Sequence, residues 1–227
     1  FYQALILVPT ITLVEQWEDE CKRFNFSHII KVSSKNQGWR SEIDDIKLKE
    51  SLAESDESSL SFIIIATYAS FSRESTFKQL MSLSKKTQRQ MLLIADEAHN
   101  IGAPNIMPKL DRVKILRRIG LSATPERQFD DKGNKAVMQF FGCDAQYTFE
   151  YSMKDAIDNG FLCRYRYFPH VVRLNEDEMA EYKKISLQLA KFYNIDEGSF
   201  SGADDILMRL LLKRKRIIHK AQNKKEI

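Results

Sequence analysis

The sequence predicts an α/β protein: a parallel, doubly wound sheet followed by a helical extension. Short continuous apolar runs, "ALILV" at 4–8, "LSFIIIATY" at 60–68 and "MLLIA" at 91–95, have the character of strands buried on both faces. The segments between them carry helical spacing, and strands alternating with helices indicate crossover units and a parallel sheet. In such a sheet, reactive residues belong at the carboxyl ends of the strands.

Each element follows in order. Pro9 stops the first strand, and a helix begins at once: Thr12 with Glu15 fits a capping box, and Leu13, Val14, Trp17, Cys21 and Phe24 keep one apolar face. "HIIKVS" (28–33) reads as a second strand. The charged, serine-rich stretch 41–60 reads as a surface helix running into a mobile loop at "ESDESS". An amphipathic helix is expected over 72–83, and "RRIGLSAT" (117–124) holds a further strand. The character then changes, which divides the chain into residues 1–150 and 151–227. "YSMKDAIDNGFL" reads as a short helix with Ser152 as N-cap and Gly160 just past its end. "RYRYFPHVVRL" (164–174) alternates like a strand, Asn175 and Glu178 fit the start of a helix running to about Tyr193, and after the break "DEGSFSGAD" a last helix starts near Asp204.

Composition sets the bounds. The chain has 227 residues, 43% hydrophobic and 29% charged, with no apolar run near the roughly 18 residues of a membrane span. Three scattered cysteines argue against a disulfide framework and for a reducing cytoplasm, and four dispersed histidines form no zinc-type cluster. A net charge of +4 permits a polyanionic partner without requiring one. The chain opens inside a strand-like run and closes on "HKAQNKKEI", still helical in pattern, so it reads as part of something longer.

The chemistry concentrates in "LLIADEAHNIG" (92–102), where an apolar strand runs into two carboxylates. Successive residues at a strand end point in different directions, which suits a division of labour in phosphoryl transfer. Asp96 would hold Mg²⁺, largely through its water shell, and Glu97 would orient or deprotonate the attacking water. On the dipeptide alone, Asp96 as a cap and Glu97 as a solvated acid is an equally available reading.

The surrounding segments decide between them. "DEAH" with "LSATP" about 25 residues later, "LVPTITLVEQW" upstream and "ATYASF" between them resembles the superfamily 2 helicases and translocases, in the branch of type III restriction enzyme subunits and related repair helicases. The resemblance covers residues 4–127 strongly and reaches more weakly to about residue 170. It implies a first RecA-like motor domain that uses ATP and Mg²⁺. Asp96 and Glu97 match the metal and water-activating acids, and His99 matches the residue linking hydrolysis to the "SAT" segment. In that segment Ser122, Ala123 and Thr124 match the coupling residues. Pro9, Thr10, Thr67 and Tyr68 match loops that meet a nucleic-acid backbone, by contacts that position a strand without reading its sequence. DNA is the partner implied by this branch, with restriction or repair subunits as further partners. Trp17 reads as core, Arg127 as a solvated cation, and "KRKR" (213–216) as a solvated helical surface.

One family element is missing. No glycine in the sequence precedes a lysine, so the phosphate loop G-x-x-x-x-G-K-[ST] is not in this chain. The expectation is therefore a chain truncated before that loop, inactive alone but part of an ATP-dependent DNA helicase or translocase. Its sheet is expected to have a gap where the phosphate-loop strand belongs, with unpaired edges that favour self-association. The alternative is a nucleic-acid-binding or scaffolding module whose ATPase is degenerate.

Overall fold

The computed structural model describes residues 2–52, 60–127, 130–143, 146–194, 199–200 and 204–226. The chain forms two compact units, Phe1–Glu150 and Tyr151–Ile227. "ESDESS" and most of "DEGSFSGAD" lie outside the described residues.

The first unit is built on strands β1 (Gln3–Val8), β2 (Ile29–Val32), β3 (Phe62–Thr67), β4 (Leu92–Asp96) and β5 (Arg117–Leu121). Every neighbouring pair is parallel, in the order β2-β3-β1-β4-β5. The central strands are apolar at nearly every position because both of their faces are covered. On one face Ile6, Val8, Ile63 and Ile65 pack with Val14 and Cys21 of helix α1 (Ile11–Arg23). On the other, Leu5, Leu7, Ile64 and Leu93 join Trp39, Ile43 and Ile46 of α2 (Trp39–Leu52) and side chains from α3 (Tyr68–Phe71) and α4 (Glu74–Leu80). Helices α5 (Lys85–Gln90) and α6 (Asp131–Phe141), with 3-10 turns at Ala98–Gly102 and Met107–Arg112, complete the unit.

Several expectations are corrected. The cap of α1 is Thr10, not Thr12: Thr10 is extended at φ −132°, and its hydroxyl accepts from the Leu13 N–H at 3.2 Å. Helix α2 is no surface helix, since its inner face is part of the core. The helix expected over 72–83 is broken, because Arg73 is extended (ψ 128°) and α4 ends near Met81 before Ser84 caps α5. The sheet has no internal gap. Its strands pair continuously, and at the outermost strand β5 Ile119 and Leu121 are 45% and 43% exposed.

In the second unit, α7 (Met153–Asp158) is closed by a capping box between Ser152 and Asp155, and Gly160 adopts φ +77° past its end, a conformation glycine takes without Cβ strain. Helix α8 (Glu176–Ala190) starts with the same device at Asn175 and Glu178. It stops at Ala190 rather than Tyr193; strands β6 (Tyr193–Asn194) and β7 (Ser199–Phe200) pair antiparallel before α9 (Asp204–His219). The Gln222 N–H donates to Glu178 Oε1 at 2.9 Å and Asn175 Nδ2 to Gln222 Oε1 at 3.1 Å, joining the chain after α9 to the start of α8. Residues 164–174 form no strand despite their alternation: they pair with no other strand among the described residues, and Tyr167 and Val171 stand 80% and 90% exposed. Alternation marks a strand only where a neighbouring ladder and a buried face accept it.

Candidate active site

Register places the chemistry. Val8 lies beside Thr67, Leu7 beside Ala95, and Asp96 beside Leu121, so Pro9, Tyr68, Glu97 and Ser122 all emerge at the carboxyl ends of adjacent strands. The sheet thus gathers onto one rim residues that lie far apart in sequence.

Asp96 and Glu97 face different neighbours. Asp96 Oδ2 accepts from the indole N–H of Trp17 at 3.0 Å, and Oδ1 accepts from the Glu97 N–H at 3.1 Å. Glu97 itself is left-handed, φ 52° and ψ 57°, a conformation that costs a non-glycine residue on the order of 1–2 kcal/mol. Neighbours hold it there. The Tyr68 hydroxyl donates to the Asp96 carbonyl at 2.8 Å, and the Glu97 carbonyl accepts from Asn100 Nδ2 at 2.9 Å and the Asn100 N–H at 3.0 Å. With this turn, Asp96 meets α1 while Glu97 meets the segment after β5.

That second contact forms a small network. Ser122 Oγ donates to Glu97 Oε2 at 3.2 Å and lies 3.2 Å from His99 Nδ1, and it accepts from the Thr124 N–H at 3.2 Å. A hydroxyl has one proton. If Ser122 gives it to Glu97, His99 must donate from Nδ1, leaving Nε2 to accept from the Asn100 amide 3.4 Å away. Both contacts of the imidazole then agree on the neutral Nδ1–H tautomer. His99 Nδ1 also lies 3.5 Å from Glu97 Oε2. The network is half-open to solvent, with the Glu97 side chain 40% exposed.

The remaining expected residues fall into two groups. Pro9 and Thr10 stand at the rim beside α1, half-buried and exposed respectively; Ala123 and Thr124 are exposed on the loop after β5. Thr67 and Tyr68 are buried, and their hydroxyls are committed inside the fold: Thr67 caps α3 by accepting from the Ser70 N–H at 3.1 Å, and Tyr68 braces Asp96. Burial, reinforced by the charges of Asp96 and Glu97, raises the Tyr68 phenol well above its ordinary value, so it remains a donor.

Sequence reasoning missed several contributors. Trp17 does pack against the apolar cluster beneath α1, but its N–H is spent on Asp96. Arg127 is no solvated cation: Nε donates to Asp130 at 2.7 Å, Nη1 to the His99 carbonyl at 3.1 Å, and Asn134 pairs with both its backbone groups. The Arg127 guanidinium holds the Asp130 carboxyl below its usual range. Gly102 and Gly133 let α6 close on this arrangement, since a Cβ on Gly102 would stand 2.6 Å from the Gly133 carbonyl oxygen. In "KRKR", Lys213 pairs with Glu181 at 3.0 Å and Arg214 lies over the Tyr182 ring at 5.7 Å, so half of the run is engaged by α8.

The donor set fits Mg²⁺ in its usual mode. No group of three or more His, Cys, Asp or Glu side chains converges to hold a metal among the described residues, and Mg²⁺ asks for no such cage. One or two carboxylates and substrate phosphates suffice, with waters completing the shell. Asp96 keeps lone pairs free on both oxygens after its two hydrogen bonds.

A five-stranded parallel α/β sheet with two acids at the end of an inner strand, one of them tied to a hydroxyl just past the adjacent strand, is consistent with a RecA-like domain. The family model "Type III restriction enzyme, res subunit" matches residues 1–127. The chain therefore belongs to the family of type III restriction enzyme res subunits, a helicase-like family of ATPases. Comparison with curated proteins gives no match. Among the described residues no helix is long and apolar enough to cross a membrane.

Proposed function

We propose that this chain is the first motor domain of an ATP-dependent DNA helicase or double-stranded DNA translocase. The observation that carries the reading is the Glu97–Ser122–His99 network, which joins a base candidate at the end of β4 to the loop after β5. In this reading Glu97 takes the proton of, or aligns, the water that attacks the γ-phosphate. Ser122 and His99 hold one oxygen of Glu97, which leaves the other for that water. Asp96 is the carboxylate toward Mg²⁺, which when bound neutralises charge developing on the phosphates. The sequence itself contains no G-x-x-x-x-G-K-[ST] loop for the phosphates.

Nucleic acid meets Pro9 and Thr10, where an exposed hydroxyl stands at the start of α1 and a backbone phosphate is a fitting ligand. Thr67 and Tyr68 serve the same rim from beneath, as cap and brace. Three free cysteines suit a reducing cytoplasm. The exposed edge of β5 supports self-association of the chain taken by itself, for which light scattering is the measurement.

The test is ATP hydrolysis by the complete protein with and without double-stranded DNA, single-stranded DNA and RNA. Stimulation by DNA supports the reading. Nucleic-acid binding without hydrolysis under any condition supports a degenerate binding module instead, and stimulation by RNA alone replaces the substrate class.

A further inference from the structure

The Trp17 contact goes beyond packing. Trp17 sits in the middle of α1, its ring partly buried against the cluster of Ile6, Val8, Val14, Ile63 and Ile65, and its one polar atom is spent on Asp96 Oδ2 at 3.0 Å. The two residues are 79 apart in sequence. An indole N–H is a donor only: it neither takes a proton from a carboxylate nor competes for a cation. A lysine or arginine in its place would hold the carboxylate equally well but cancel its charge. An indole fixes the geometry and leaves the charge for a metal.

The other atoms of Asp96 are fixed as well. Oδ1 accepts from the Glu97 N–H at 3.1 Å, and the main-chain carbonyl accepts from Tyr68 at 2.8 Å. The carboxylate plane is thus set from two sides by neutral donors, one from α1 and one from the turn after β4. Groups that orient a metal-holding side chain in this way usually matter 10- to 100-fold, on the order of magnitude, to metal affinity or activity.

We infer that Trp17 is a positioning residue for the metal: its indole N–H holds the Asp96 carboxylate in the orientation from which it meets Mg²⁺. This rests on the proposed role of Asp96. It predicts that removing the N–H while keeping an aromatic ring weakens the metal-dependent part of nucleotide binding and spares the metal-independent part.

The experiment uses the complete protein and two variants, Trp17→Phe and Trp39→Phe. Trp39 is buried in the other cluster, so its replacement perturbs packing elsewhere. Binding of a fluorescent, non-hydrolysable ATP analogue is measured across a Mg²⁺ series and in EDTA. Trp17→Phe is expected to raise the Mg²⁺ concentration for half-maximal binding about 10-fold, with affinity in EDTA unchanged. Trp39→Phe is expected to leave the Mg²⁺ midpoint in place. A wild-type midpoint in Trp17→Phe, or equal losses with and without Mg²⁺, overturns the inference. A second readout needs no nucleotide: in protein carrying 5-fluorotryptophan, the ¹⁹F resonance lost in Trp17→Phe is expected to shift in Asp96→Asn. A resonance that ignores Asp96→Asn overturns the hydrogen bond itself. Should the wild-type protein bind nucleotide with no dependence on Mg²⁺, the functional reading fails, and the metal role of Trp17 with it; the ¹⁹F shift then shows that the contact exists apart from that role.

Discussion

Ser122 donates its hydroxyl to Glu97 Oε2 across 3.2 Å, although the two residues are 25 apart and follow different strands. Parallel pairing of β4 with β5 brings them together: Asp96 is in register with Leu121, so the next residue on each strand meets its counterpart at the rim. Any movement of the loop after β5 is therefore felt at one oxygen of the base candidate.

Ser122→Ala should expose this link. It removes a hydrogen bond to a carboxylate, worth about 1.5–3 kcal/mol, and leaves His99 and the Thr124 N–H without their acceptor. Expressed in the transition state, that is a fall in DNA-stimulated turnover of about 10- to 100-fold. Steady-state ATP hydrolysis measures it. Turnover within about twofold of wild type would take Ser122 out of the network's function.

Tyr68→Phe tests the brace beneath the acids. Tyr68 is 6% exposed, and loss of its hydroxyl leaves the Asp96 carbonyl without that donor, at a cost of about 1–3 kcal/mol in unfolding free energy by urea denaturation. The sign with pH follows from the raised phenol. A group whose folded value lies above its unfolded 10.0 contributes fully below pH 10 and loses that contribution only as pH rises beyond it. The difference between wild type and Tyr68→Phe should accordingly be flat from pH 6 to pH 9.

The fold was more legible than the site. Strands β1, β3 and β4 announce themselves because a strand covered on both faces must be apolar throughout, and β4 displays its two acids where the apolar run stops. Asp96, Glu97, His99 and Ser122 became candidates through a resemblance carried by local segments. Their supports could not: Trp17 reaches across 79 residues, and Tyr68 and Arg127 each across 28. Nothing in the spacing around a tryptophan on an apolar helix face says that its N–H has a carboxylate to meet. The stretch 164–174 failed for the opposite reason, since its local pattern is a strand's and what a strand needs is a partner.

Glu74 gives a pH dependence away from the site. It receives a two-pronged contact from Arg112 at 2.9 and 3.1 Å with Lys109 nearby, and the Arg112 guanidinium holds its carboxyl well below the ordinary 4.5, at about 2. A depressed carboxylate stabilises the fold above its unfolded value and stops doing so as pH falls through its folded one. The contribution should therefore disappear between about pH 4.5 and pH 2. Because Glu74 is exposed, the effect is modest and screened by salt. Thermal melts of wild type and Glu74→Gln should converge over that interval and separate above it. A constant difference across it would contradict the pairing.

The most direct measurement of the central claim is Glu97→Gln in the complete protein, followed by nucleotide binding, DNA binding and single-turnover ATP hydrolysis on the same preparation. The left-handed turn, the Ser122 contact and a side chain 40% exposed are the observations behind the proposal that Glu97 handles the attacking water. The account predicts both binding affinities close to wild type and hydrolysis slower by about 100-fold or more, the scale of a lost general base. Hydrolysis at the wild-type rate, with both ligands bound, would contradict it.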